Sequence, residues 1–169
     1  FGLPQALWKM VCHWQLLIKF LLIFKDYYWC QGFIKLIQYN FPTVLFYGED
    51  SVKELPSAIL KQGLKTLLLV TDPGLVQIGL ANEVTNTFTA SSLKIDIFDG
   101  VNPNPIEENV IEGVLKYNSG KYDGIIALGG GSVMDVAKTI RFMVVHDSPL
   151  FQYDDAIGGE EKIVTPMPP

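Results

Sequence analysis

Cysteine is almost missing: Cys12 and Cys30 are the only two in 169 residues. That excludes a disulfide framework, and the pair lacks the spacing of a structural zinc site. A reducing, cytoplasmic setting is the default expectation. Histidine is equally scarce, with only His13 and His146. A single His in the folded-looking region cannot make a catalytic metal site by itself, since such sites usually take about three protein ligands. No metal ligand is therefore assigned, and neither histidine is given a catalytic role. Charge is sparse at 18%, and the net charge of −5 argues against a broad nucleic-acid footprint, so phosphate must be bound locally if at all. No internal repeat is visible. The most apolar stretch, Trp14 to Phe24, contains Lys19 and is followed by Lys25 and Asp26. These charges interrupt any window of about 20 residues, so a membrane anchor is not favoured. Position 1 is Phe rather than Met, so the chain is expected to be processed, cut, or read from an incomplete frame.

What is present suffices for a core. Hydrophobic residues make up 49%, and the length leaves room for one ordinary domain. Composition breaks near Asn40. Residues 1–40 carry 4 Lys and 1 acid, all three tryptophans and ten of the twenty aromatics, whereas 41–169 carry 9 basic and 17 acidic residues. The first segment is expected to be a hydrophobic, aromatic-rich extension of unknown role.

From Phe41 onward short apolar runs alternate with amphipathic ones, which is βαβ grammar. Strands are expected at Thr43–Tyr47, Lys65–Val70, Lys94–Phe98 and Gly124–Leu128. Helices are expected over Ser51–Gln62, locally weakened by Pro56, around Gly79–Ala90, over Ile106–Tyr117 and from Ser132 to about His146. Ile106, Val110, Val114 and Tyr117 should share the buried face of the third of these helices. The tail from Ser148 reads as loop, with Ile163-Val164 a strand fragment.

Gly129-Gly130-Gly131 follows a buried strand and precedes a helix. Glycines there let the backbone turn sharply and approach a ligand without Cβ interference, while the helix N-terminus offers free N–H groups to an anion such as a pyrophosphate. The motif lacks the third glycine of the Rossmann fingerprint and has no Gly-Lys-Ser or Gly-Lys-Thr of a Walker A loop. Ser132 and Asp135 have the spacing of a capping box, which is compatible with a phosphate site on the same helix end. Asp72 follows an apolar strand, where parallel sheets hold ligand-binding groups. It can accept ribose hydroxyls and repel the 2′-phosphate of NADP, or it can simply form a turn before Pro73-Gly74. Asn102-Pro-Asn104-Pro105 is a rigid loop that could meet phosphate or ribose oxygens, and turn chemistry explains it equally well.

Gly129-Gly-Gly-Ser-Val-Met-Asp-Val-Ala-Lys138 resembles the glycine-rich signature of the iron-containing alcohol dehydrogenase family. Val70-Thr-Asp-Pro-Gly-Leu75, Asp99-Gly-Val-Asn-Pro-Asn-Pro105 and Phe41-Pro-Thr-Val-Leu-Phe-Tyr-Gly48 look like other landmarks of that family, in the same order. The resemblance covers residues 41–169, about a third of a usual family chain. It implies an α/β, parallel-sheet, Rossmann-like dinucleotide-binding domain of dehydroquinate-synthase-like type, truncated, preceded by an unrelated segment. It further implies an oxidoreductase that uses NAD, with NADP less favoured, and Fe2+ or Zn2+ to move a hydride between nicotinamide and a small alcohol or aldehyde. A homo-oligomer is the expectation for the full-length form. Carried over residue by residue, the cofactor-binding positions are Asp72, Asn104, Gly129, Gly130, Gly131, Ser132 and Asp135. The family's metal ligands, one Asp and three His of a mainly helical second domain, would lie beyond Pro169, so this chain alone is expected to be inactive. Two alternatives are a non-catalytic nucleotide-binding or pseudogene fragment and a dehydroquinate-synthase-like lyase.

Overall fold

The computed structural model describes residues 44–169. The aromatic-rich segment 1–40, with Trp14–Phe24, Cys12, Cys30 and His13, lies outside the described residues. So does the start of the expected first strand. The near-continuous apolar run after Lys65 forms β1 (Thr66–Val70), and Leu67, Leu68, Leu69 and Val70 are all essentially inaccessible to solvent. Each such burial contributes roughly 1.5–3 kcal/mol before chain entropy is counted. A strand with both faces apolar needs cover on both sides and partners on both edges, and β1 has them. β2 (Lys94–Phe98) and β3 (Gly124–Ala127) flank it in a parallel sheet of order β2-β1-β3. The register runs from Thr66 opposite Lys94 to Val70 opposite Phe98, and from Leu67 opposite Gly124 to Val70 opposite Ala127. The Asp123 carboxylate fastens the sheet at its lower end by accepting the N–H groups of Lys65 and Thr66, each at 2.9 Å.

Helices cover the two faces separately. Leu67 packs with Ile59 of α1 (Leu55–Lys61), Phe88, and Val84 of a helix over Leu80–Asn86, which follows the short α2 (Pro73–Gln77) and is α3. Leu68 and Val70 face the larger cluster built on Val110 and Tyr117 of α4 (Glu107–Gly120) and Val133, Val136 and Ile140 of α5 (Gly131–Met143). α4 and α5 approach closely at Gly113, where a Cβ would lie 2.2 Å from Ile140 Cδ1.

Several expectations need correction. Residues 44–47 form no strand; Val44, Leu45, Phe46 and Tyr47 stand exposed, because among the described residues no strand edge lies beside them to complete a ladder. The helix expected over Ser51–Gln62 is divided near Pro56: Ser51–Glu54 is a 3-10 turn, and α1 begins at Leu55 with Pro56 in its first turn, where a missing N–H costs nothing. Pro73 likewise opens a helix, α2, where only a turn was expected. α3 stops at Asn86, short of Ala90. α4 runs on to Gly120 and ends with Lys121 in the left-handed region at φ 53°. Its buried face is Asn109, Val110, Gly113 and Tyr117, with Val114 half-buried, while Ile106 precedes the helix and is exposed. α5 ends at Met143 rather than His146. Ile163-Val164 is not a strand; the tail holds 3-10 turns at Leu150–Tyr153, Asp155–Ile157 and Gly159–Lys162.

One contact across the fold titrates. Tyr122, buried beside Tyr117, donates its hydroxyl to Asp96 Oδ2 at 2.7 Å. Burial first, and then the Asp96 bond and charge, push the Tyr122 phenol up to about 12 from 10.0. The neutral phenol is the form the fold prefers, so its contribution is complete below about pH 10 and fades as pH rises toward about 12. Urea unfolding from pH 9 to 12 should show the wild-type chain losing more stability over that window than Tyr122→Phe. Parallel pH curves for the two proteins would contradict the assignment.

Candidate functional site

The register sets the carboxyl ends of β1 and β3 side by side, and there the chain leaves the sheet in two directions. From β1 it passes through Thr71 and Asp72 into α2 and α3, toward the Leu67 face. From β3 it passes through Leu128 and Gly129 into α5, toward the Leu68 face. Adjacent parallel strands whose following segments part to opposite faces open a crevice at their carboxyl ends, the switch point at which open α/β sheets bind ligands.

Gly129 makes the bend on the β3 side. Its φ is +155°, and a Cβ there would lie 2.6 Å from Val133 Cγ2, so the turn requires glycine on both conformational and steric grounds. Gly130 is extended and forms the N-cap, and Gly131 is the first residue of α5. A Cβ at either would meet nothing within 4 Å, so this backbone faces open space. No side chain caps α5, and its first turn holds no acid. The positive end of a 13-residue helix therefore keeps its N–H groups available to an outside anion.

Ser132 and Asp135 do not form the expected capping box, because the helix begins one residue earlier than the sequence suggested and Ser132 lies inside its first turn. The Ser132 hydroxyl instead donates to the carbonyl oxygen of Pro103 at 2.9 Å. That bond ties the Asn102–Pro105 loop to the glycine turn. The same loop is held from below by buried Asn109, whose Oδ1 accepts the N–H of Ile106 at 3.2 Å and of Asn102 at 3.5 Å. Asn104 is exposed at the top of this doubly anchored loop. Asp135 stands one turn further along α5, half-buried, with Oδ1 3.6 Å from Lys138 Nζ.

Asp72 serves as the N-cap of α2, its Oδ1 accepting the Leu75 N–H at 3.0 Å. The turn-forming reading is thus realised by one oxygen, and among the described residues nothing bonds the other. Asp72 and Gly129 are linked through their neighbours, since the Thr71 hydroxyl donates to the Leu128 carbonyl at 2.8 Å. Thr71, Asn109 and the Pro103 carbonyl escaped the sequence reading. Asn109, three residues past the position that precedes α4, carried a signal in its helix-start spacing; the other two carried none. His146 stays out of the crevice: its Nδ1 pairs with the Phe142 carbonyl at 2.8 Å and its ring stacks on Phe142. Among the described residues no group of three or more His, Cys, Asp or Glu could hold a metal ion, and no helix is long and apolar enough to cross a membrane.

The contrast among the glycines is directly testable. Gly129→Ala should lower unfolding stability by about 1–3 kcal/mol through backbone strain and the Val133 contact, whereas Gly131→Ala should unfold within about 0.5 kcal/mol of wild type. Equal urea midpoints for the two variants would contradict this geometry.

The family model for iron-containing alcohol dehydrogenase matches residues 42–169. The chain is 32% identical over 135 residues to choline dehydrogenase of Bacillus subtilis (strain 168), covering 80% of this chain and 33% of that protein. It is 32% identical over 137 residues to 1,3-propanediol dehydrogenase of Klebsiella pneumoniae, covering 80% and 34%. The chain thus spans about a third of the length of the curated relatives it matches. Among solved structures, a 1,3-propanediol oxidoreductase superposes with a TM-score of 0.70 at 30% identity, over 80% of this chain and 34% of that one. The fold also matches sulfoacetaldehyde reductase from Bifidobacterium kashiwanohense, solved in complex with NAD+, with a TM-score of 0.64 at 23% identity over 70% and 31%. With its three-stranded parallel sheet, glycine turn and matched length of sequence, this chain belongs to the iron-containing alcohol dehydrogenase family.

Proposed function

We propose that residues 41–169 supply the dinucleotide-binding wall of an NAD-dependent, metal-dependent alcohol dehydrogenase, with residues 1–40 a separate extension. The observation that carries this reading is the junction of Asp72 and Gly129, joined through the Thr71–Leu128 bond beside the uncapped start of α5, whose backbone at Gly130 and Gly131 faces open space. In it the turn from Gly129 through Gly130 and Gly131 to Ser132 receives the diphosphate, because uncapped helix N–H groups and the helix dipole favour an anion there by roughly 0.3–1 kcal/mol. Asp72 faces the adenosine ribose with the oxygen that its capping bond leaves free. Its charge repels a 2′-phosphate, so NAD is bound in preference to NADP. Asn104, on the loop bonded to Ser132, and Asp135, one turn along α5, line the path toward the nicotinamide.

The reaction of the whole protein would be hydride exchange between the nicotinamide ring and a small alcohol or aldehyde. The relatives named dehydrogenases favour this over the lyase alternative. Among the described residues no group of His, Cys, Asp and Glu fits an iron or zinc site. Reactant positioning of this kind is worth roughly 7–11 kcal/mol in favourable systems. One crevice wall gives binding and not that positioning, so the chain by itself should bind cofactor without turnover.

A thermal-shift titration tests the reading. NAD at a hundred times its dissociation constant should add about 2.7 kcal/mol of stability, and NADP should add less at equal concentration. Asp72→Asn, which keeps a good helix cap, should fold normally and lose the preference for NAD. No shift with NAD, NADP or ADP would favour the non-catalytic, inert reading instead.

A further inference from the structure

We propose that Thr71 is a positioning residue for the crevice, its hydroxyl replacing the backbone rung that the sheet gives up where β1 and β3 part. The inference rests on the dinucleotide reading of that crevice. Up to this point the two strands are joined by regular parallel pairing, and the last backbone rung is the Leu128 N–H donating to the Val70 carbonyl at 2.9 Å. In a parallel ladder of this register, the next rung would be the Asp72 N–H donating to the Leu128 carbonyl. Asp72 instead turns away to cap α2. The Leu128 carbonyl is left beneath the glycine turn, and the Thr71 hydroxyl takes over its bond at 2.8 Å.

Thr71 is inaccessible to solvent and cannot touch a ligand, so whatever it does for binding it does through its neighbours. Its own N–H remains in the sheet, donating to the Phe98 carbonyl at 2.9 Å, which holds its backbone in line with β1 and β2. One residue thus fastens all three strands at the edge of the crevice. On one side it is followed by Asp72, and on the other its hydrogen-bond partner Leu128 is followed by Gly129. The hydroxyl therefore fixes the distance between the group that meets the ribose and the backbone that meets the diphosphate. A ligand touching both positions depends on that distance.

Calorimetric titration of the 169-residue chain with NAD and NADP, alongside urea unfolding, tests the assignment in Thr71→Val, Thr71→Ala and Thr71→Ser. Valine keeps the shape and removes the donor, and serine keeps the donor. Thr71→Val and Thr71→Ala should bind NAD about tenfold more weakly and lose most of the NAD-over-NADP ratio, because Asp72 no longer stands at its set distance from the glycine turn. Thr71→Ser should retain both the affinity and the ratio. A role in stability alone would lower the urea midpoint and leave the ratio unchanged, and that result overturns the proposal. If neither Val nor Ala yields folded protein, Thr71→Cys, with a poor donor in nearly the volume of serine, is compared with Thr71→Ser by the same ratio. A wild-type chain that binds neither nucleotide overturns the crevice reading along with this one. A wild-type preference that survives in Thr71→Val overturns only the role of Thr71.

Discussion

A central strand with four buried apolar residues in a row cannot stand alone, and the rest of this structure follows from how β1 is enclosed. Its four inaccessible side chains demand a helical layer on each face, and its two edges demand parallel neighbours. Parallel neighbours require crossovers, and crossovers to opposite faces force adjacent strands to separate at their carboxyl ends. The crevice is thus a by-product of burying Leu67 to Val70. What suits it to an anion is local: Gly129 bends where a Cβ would strike Val133, Gly130 and Gly131 leave the backbone bare, and α5 starts with no side-chain cap and no acid in its first turn.

Three hydrogen bonds convert separate loops into one surface. Thr71 joins the β1 and β3 exits, Ser132 joins the glycine turn to the Asn102–Pro105 loop, and Asn109 fixes that loop to the start of α4. Each links segments distant in sequence, or a loop to the helix that follows it, through a single short polar side chain. Such bonds are worth only about 0.5–1.5 kcal/mol each in stability. Their value lies in holding groups on different loops in a fixed arrangement.

Much of this was legible in the sequence and some was not, for physical reasons. The strands around Lys65–Val70, Lys94–Phe98 and Gly124–Leu128 announced themselves by apolar runs and turn residues, because burial selects composition directly. The glycine turn announced itself as a run of three glycines after an apolar strand, although only the bend at Gly129 admits glycine alone. The Val44–Tyr47 stretch looks like a strand in composition, yet a strand exists only with an edge to pair, and pairing is not a local property. Pro56 interrupts the helical span and also starts its regular part, because a proline acts as a breaker or as a starter according to its position, here the first turn of α1. The Ser132–Asp135 spacing suggested a cap, but the helix began at Gly131, which handed Ser132 a distant partner, the Pro103 carbonyl. The Thr71 bond was hidden for the same reason: its acceptor is a carbonyl 57 residues away.

On the proposed reading, the bend after β3 and the cap of α2 form one anion-and-ribose site at the parting of two parallel strands. Amide chemical-shift mapping with ADP-ribose tests it most directly, since it reports position without requiring catalysis. The largest perturbations should fall on Gly129, Gly130, Gly131 and Ser132, with a second group at Asp72, Gly74 and Leu75, saturating together at one dissociation constant. Perturbations confined to other surfaces, or the two groups saturating at different concentrations, would contradict it.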